Sequence, residues 1–117
     1  MPLVRHGRVY CLLHNGEVVG SAQFQRDWEN PRLAYLFGVS VAKHFRGRGL
    51  GTELLQKSFR NLARERIEEV ELTVAPDNTV ALEVYRRKLG FAIIGYRENE
   101  YGEGEHRYVM RLSLKDW

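Results

Sequence analysis

Three glycines fall within six residues, Arg46-Gly47-Arg48-Gly49-Leu50-Gly51, between a strand-like run and a long helical repeat. No other feature limits the possible folds as much. Upstream, residues 33–41 (LAYLFGVSV) have strand composition. Downstream, Leu50, Leu54, Leu55, Phe59, Leu62, Ala63 and Ile67 recur at helical spacing, with Lys57, Arg60, Arg64 and Glu65 largely on the other side. A strand therefore enters a helix through a segment that can turn tightly and lets a ligand approach without Cβ obstruction. The first N–H groups of such a helix have no intrahelical partners, and its dipole places partial positive charge there. The junction reads as an anion site suited to a pyrophosphate, with Arg46 and Arg48 adding full charges.

The pattern separates the kinds of pyrophosphate site. Walker A fails because no Gly-Lys-Ser/Thr follows, and G-x-G-x-x-G fails because the third position after Gly47 and Gly49 is Thr52. What fits is Arg-x-x-Gly-x-Gly, at Arg46, Gly49 and Gly51. Taken alone, the run is also consistent with a glycine-rich turn that only caps a helix.

The remaining chain supplies a frame. Residues 8–14 read as a strand, Asn15-Gly16 as a type I′ hairpin turn, and residues 17–25 as the returning strand. The polar stretch 26–32, with Pro31, is a loop. Residues 70–74 form a short strand, and Pro76-Asp77-Asn78 opens a helix with Val80, Ala81, Val84 and Tyr85 as its apolar stripe. Gly90 ends it, and residues 91–96 and 107–114 are two last strands. The order is β-β-β-α-β-α-β-β, and the β-α-β unit over residues 33–74 requires a right-handed crossover and a parallel pair. The expected fold is an α/β (α+β) domain: a mixed antiparallel and parallel sheet flanked by helices.

Bulk properties narrow the function. A chain of 117 residues with 44% hydrophobic and 28% charged content reads as one globular domain spanning 1–117. The formal charge of +3 suits a phosphorylated small molecule and is weak support for nucleic acid. Nucleic-acid binding through Lys57, Arg60, Arg64 and Arg66 is further disfavoured by Glu53, Glu65, Glu68 and Glu69. Cys11 is the single cysteine, so neither an intramolecular disulfide nor a cysteine-based zinc site can form, and no histidines show metal-ligand spacing. No run of about 18 apolar residues or signal peptide is visible, which makes the cytoplasm the expected compartment.

The run from Val41 to Leu55, VAKHFRGRGLGTELL, resembles the GNAT superfamily of acetyl-CoA-dependent N-acetyltransferases. The run from Asn78 to Phe91, NTVALEVYRRKLGF, is similar to that family's second signature, Asn-x-x-Ala-x-x-x-Tyr ending in Gly-Phe. The resemblance covers roughly residues 8–114 and implies acetyl-CoA as co-substrate, with no metal. It implies that the backbone of Val39 and Val41 pairs with the pantetheine arm like an added strand. Amides of Arg46, Gly47, Arg48, Gly49, Leu50, Gly51 and Thr52 would hold the pyrophosphate, and Asn78 would hydrogen-bond the arm. Tyr85 would lie near the thioester sulfur as general acid, in a sheet that splays between the strands ending at Val41 and Val74. A purely structural role in the core is the alternative for Tyr85.

The base is less defined. Where protein N-terminal acetyltransferases, including ribosomal-protein alanine acetyltransferases, carry a carboxylate five residues before the asparagine, this chain has Thr73. Glu71, on the same strand face, is the candidate base through water, against a solvated strand residue or deprotonation by water alone. The tail from Glu98 to Met110 also resembles those enzymes, which makes Tyr101 a candidate acceptor-site residue. Glu98, Glu100, Glu103 and Glu105 would attract a cationic amine or form a solvated loop. The family's usual N-terminal strand and helices have no counterpart in the seven residues before Arg8. That implies an open acceptor site or one completed by a partner, and a homodimer is expected. The expected acceptor is a peptide or protein N-terminus or a small polyamine-like amine, and the sequence does not name it. The alternative function is a non-catalytic CoA-binding or regulatory module.

Overall fold

A computed structural model describes residues 7–100 and 102–117. Strands β1 (Gly7–His14) and β2 (Glu17–Arg26) form a hairpin, and β3 (Leu33–Val41) pairs antiparallel with β2. The hairpin turn places Asn15 at φ 51° and Gly16 at φ 81°, the two positive values that type I′ geometry needs. A 3₁₀ turn (Lys43–Phe45) leads to helix α1 (Leu50–Arg64), followed by β4 (Glu69–Val74). Helix α2 (Thr79–Glu83) continues into a π-helical turn (Val84–Lys88), and β5 (Ala92–Arg97) and β6 (Arg107–Ser113) end the fold. The six strands form one sheet in the order β1-β2-β3-β4-β6-β5. The element order is the one read from the sequence, and no described helix is long and apolar enough to cross a membrane.

Alternation in the strands decides which face is buried. Ala22, Phe24, Ala34, Leu36, Val70, Leu72, Val74, Met110 and Leu112 point to one face and meet Leu54, Leu55, Phe59 and Leu62 of α1. Ala81, Leu82, Val84 and Tyr85 pack against the same core, so both described helices cover one face. Phe59 is its hub: its ring lies 6.0 Å from Phe24, 5.8 Å from Phe91 and 5.5 Å from Trp117. Burying a side chain of this size stabilises the fold by about 1.5–3 kcal/mol. The opposite face carries Glu69, Glu71 and Thr73 of β4, and no described helix packs on it.

Three local features depart from the sequence reading. Ile67 keeps the helical spacing but lies beyond α1; the chain turns at Arg66, φ 69°, and still brings Ile67 into the core. The second helix is not α-helical throughout, because Leu89 N–H reaches the Val84 carbonyl at 3.2 Å, one residue further back than an α-helix allows. Phe91 is not part of β5: its side chain is buried, and its N–H donates to the Tyr85 carbonyl at 2.8 Å.

Candidate functional site

The parallel pairing of β3 with β4 covers only Leu33–Glu69, Ala34–Val70 and Tyr35–Glu71. Beyond Tyr35 the strands part, and from Leu36 to Val41 that edge of β3 has no strand partner among the described residues. A bulge lies at the same place: Gln23 pairs with Gly38 and Phe24 with Leu36, leaving Phe37 as the extra residue. A bulge bends its strand and increases the local twist, which carries β3 away from β4. Ala42 N–H donates to Val19 of β2 at 2.7 Å. Backbone alternation then turns the N–H and C=O of Val41 and Val39 toward the open side of the fork.

At the end of this edge sits the glycine loop. Gly47 and Gly49 have φ of 78° and 74°, and a Cβ on either would meet nothing within 4 Å, so the loop surface is open. Glu53 N–H makes the first helical bond, to the Gly49 carbonyl at 3.0 Å, so the N–H groups of Leu50, Gly51 and Thr52 precede the ladder. Gly51 packs against the end of β3, where an added Cβ would lie 3.5 Å from Val41 Cγ2. The two arginines brace the loop. Arg46 Nε donates to the Val41 carbonyl at 2.9 Å, and the Arg48 guanidinium lies 5.4 Å from the centre of the Phe45 ring. Phe45 in turn touches the His14 ring at 5.0 Å. Of Val41, therefore, the carbonyl is already engaged, and the amide is the group left to face a ligand.

Asn78 caps α2: its Oδ1 accepts from Ala81 N–H at 3.2 Å. Tyr85 is half-buried, its ring edge-on to Phe91 at 5.6 Å. Burial pushes its phenol above the ordinary value, so the hydroxyl stays protonated and able to donate at neutral pH. Among the described residues that hydroxyl makes no hydrogen bond. The candidate base Glu71 accepts from Arg111 Nη2 at 2.7 Å and lies 3.9 Å from Arg97 Nη2. Arg111 is held more firmly protonated chiefly by that hydrogen bond. Glu71 is thus an ion-pair partner on the helix-free face, not a solvated strand residue. Tyr101 lies outside the described residues.

The acidic tail is also partly committed. Glu100 pairs with Arg97 at 3.2 Å and Glu105 with Arg107 at 3.9 Å. Sequence reasoning missed Tyr35, whose hydroxyl lies 3.2 Å from Thr73 Oγ1 across the fork. It missed the bulge too. The adjacent apolar pair Leu36-Phe37 followed by Gly38 breaks strand alternation, and that was the available signal.

With an unpaired strand edge, a bare loop and a free helix start in line, the described residues suit an extended ligand ending in an anion. The chain is similar to known proteins in sequence and in fold. The family model described as the acetyltransferase (GNAT) family matches residues 3–91. An N-alpha-acetyltransferase from Sulfurisphaera tokodaii is 32% identical over 110 residues, covering 86% of this chain and 65% of that protein. The ribosomal-protein-S18-alanine N-acetyltransferase from Escherichia coli superposes with a TM-score of 0.82 at 26% identity, over 94% of this chain and 70% of that one. A GNAT family acetyltransferase from Elizabethkingia anophelis with acetyl-CoA bound shares the fold, with a TM-score of 0.83 at 19% identity over 96% and 79% of the two chains. The chain spans between 42% and 65% of the length of three curated relatives it matches.

Proposed function

The chain belongs to the acetyltransferase (GNAT) family, and on that premise we propose that residues 1–117 form one acetyl-CoA-binding domain that transfers an acetyl group to a primary amine. The observation that carries this reading is the alignment of an unpartnered β3 edge with the bare loop and the free N–H groups that start α1. The residues fit the co-substrate. Amides from Arg46 to Thr52 would take the pyrophosphate. The outward backbone of Val39 and the amide of Val41 would pair with the pantetheine arm, as an extended peptide adds to a sheet edge. Asn78, with Oδ1 used in the cap, would offer its side-chain N–H groups to the same arm. Bound acetyl-CoA supplies an acetyl group already activated as a thioester.

The chain's own groups then have three tasks. Backbone N–H near Val41 stabilises developing negative charge on the carbonyl oxygen. Tyr85, kept protonated by burial, donates its proton to the leaving sulfur. The acceptor nitrogen must arrive neutral and lose a proton as it bonds. Glu71 reaches that nitrogen only through water and while held by Arg111 and Arg97.

For the acceptor, an α-amine of a protein or peptide is favoured over a polyamine. The relatives named above as N-alpha-acetyltransferase and alanine N-acetyltransferase support this. So does the local charge, because Glu71 and Glu100 are paired with arginines and are less open to a polycation. The test is release of free CoA thiol from acetyl-CoA in the presence of peptides with free N-terminal amines, with spermidine as the contrasting acceptor. Thiol release with peptides supports the reading. Saturable acetyl-CoA binding with no release to any amine favours a CoA-binding module instead.

A further inference from the structure

Strand β1 ends the sheet, and its outer edge carries apolar residues at equal spacing on either side of Cys11. Residues 7–14 (GRVYCLLH) run without interruption, because the extra residue of the hairpin, Val19, lies on β2. His14 and Glu17 flank the two-residue turn and form its hydrogen-bonded closing pair. Counting back from that pair, Leu12, Tyr10 and Arg8 bond to β2, whereas Leu13, Cys11, Val9 and Gly7 aim their N–H and C=O groups outward. No strand pairs with them among the described residues.

Sheet edges are usually blunted by lysine, proline, a bulge or an inward-pointing charge. Strand β1 holds no lysine, proline or acidic residue, and its one arginine, Arg8, is tied to Glu65 at 3.1 Å. The strand at the other end of the sheet, β5, is shorter and bulged at Ile94. Tyr10 and Leu12 pack toward the helix-covered core, so Val9, Cys11 and Leu13 stand on the helix-free face. There the side chains of Val9 and Leu13 are exposed, and Cys11 is a free, exposed thiol.

We propose that two copies of the chain join along this edge, antiparallel, with Cys11 facing Cys11 on the two-fold axis, so that two six-stranded sheets become one of twelve strands. The two Cys11 residues form a hydrogen-bonded pair, and on either side Val9 lies opposite Leu13 of the other copy. Moving the register by two residues breaks the match, because Leu13 then falls opposite Gly7, or Val9 opposite Asn15. A one-residue slip sets outward backbone groups against inward ones and turns the side chains to the wrong face. Only the register centred on Cys11 matches all three apolar groups with apolar groups. On the helix-covered face it sets Tyr10 opposite Leu12, beside an open groove of about 300 Å³ that these two line with Leu54 and Lys57. The seam therefore has apolar contact on both faces. The fork between β3 and β4 lies two strands away and stays open in both copies, so this interface is independent of the transferase reading.

The test compares the full-length wild type with Val9→Glu, Leu13→Lys and the double variant Val9→Glu/Leu13→Lys by sedimentation equilibrium, with melting temperatures alongside. Both side chains are exposed in a single copy, so the fold should survive each change. The wild type should show twice the chain mass at micromolar concentration. Each single variant should weaken self-association by about 10- to 100-fold, because a charge then faces an apolar side chain at two symmetric places. The double variant should regain the dimer, since the carboxylate at position 9 of one copy meets the ammonium at position 13 of the other. Within one chain those positions are about 13 Å apart along the strand, too far to pair. A short bis-thiosulfonate reagent should link two wild-type copies through Cys11, whose Cα atoms stand about 5.5 Å apart in this register. A wild-type monomer overturns the proposal, and so does a dimer that survives both single charges or that Cys11 does not link. Loss in the single variants with no recovery in the double variant overturns the register. Exchange-protected amides at Val9 and Cys11 in a monomer would show that another segment covers the edge, which also overturns it.

Discussion

Tyr85 and Tyr10 show how one side-chain type takes two roles through its surroundings. Burial raises the phenol of Tyr85, which leaves a protonated donor with no hydrogen-bond acceptor among the described residues. Tyr85→Phe should lower kcat by about 10²-fold with acetyl-CoA affinity retained, read from steady-state kinetics and calorimetry. Tyr10 instead donates to Asn61 Oδ1 at 2.8 Å and ties β1 to α1. Burial, then the negative charge of Glu65, pushes its pKa up to about 12, above the usual phenol value near 10. The folded state therefore holds the proton where the unfolded chain has lost it. The stabilisation is complete below about pH 10 and is lost as pH rises toward about 12. Denaturant midpoints at pH 9 and pH 11 should show that loss, and Tyr10→Phe should reduce it. Tyr85 and Asn78 could be named as candidates from the sequence because their motif is local. Tyr35 could not, because its partner Thr73 is 38 residues away and only the crossover brings them together.

At the scale of elements, the loop between β3 and α1 was readable because it depends on backbone freedom, and glycine declares that freedom in the sequence. Gly49 precedes α1 at φ 74°. Gly49→Ala meets no clash but places a Cβ in a left-handed conformation, at a cost of about 1 kcal/mol. It should also weaken acetyl-CoA binding by crowding the loop surface, measured by chemical denaturation and titration on the same variant. Asn78→Ala removes the cap bond to Ala81 and should cost about 1 kcal/mol as well. The π-helical turn after α2 was not readable. Its sequence, VYRRK, has ordinary helix formers, and the widening arises where Leu89 and Phe91 enter the core while the Tyr85 carbonyl turns to Phe91 N–H. The bulge at Phe37 falls between these cases: broken alternation marks it, but its consequence, the parting of β3 from β4, needs the neighbouring strand.

Across the whole molecule, one helix-covered core and one helix-free face organise everything else. Phe59 joins strand, helix and C-terminal contacts at the centre of that core, so Phe59→Ala should cost about 3–5 kcal/mol and show as a large drop in denaturation midpoint. The outermost strands, β1 and β5, expose Val9, Leu13, Ile93, Ile94 and Tyr96, surface that a homodimer would cover. Sedimentation at micromolar concentration should then give twice the chain mass, and a monomer would contradict it. The element order and the parallel crossover followed from chain periodicity and handedness alone, whereas the insertion of β6 between β4 and β5 did not. The fork's use as a binding cleft is the step that periodicity does not reach, since it depends on where pairing stops. Calorimetric titration of the intact chain with acetyl-CoA tests that step most directly. The account predicts saturable one-to-one binding that Gly49→Ala weakens; no saturable association at millimolar ligand would contradict it.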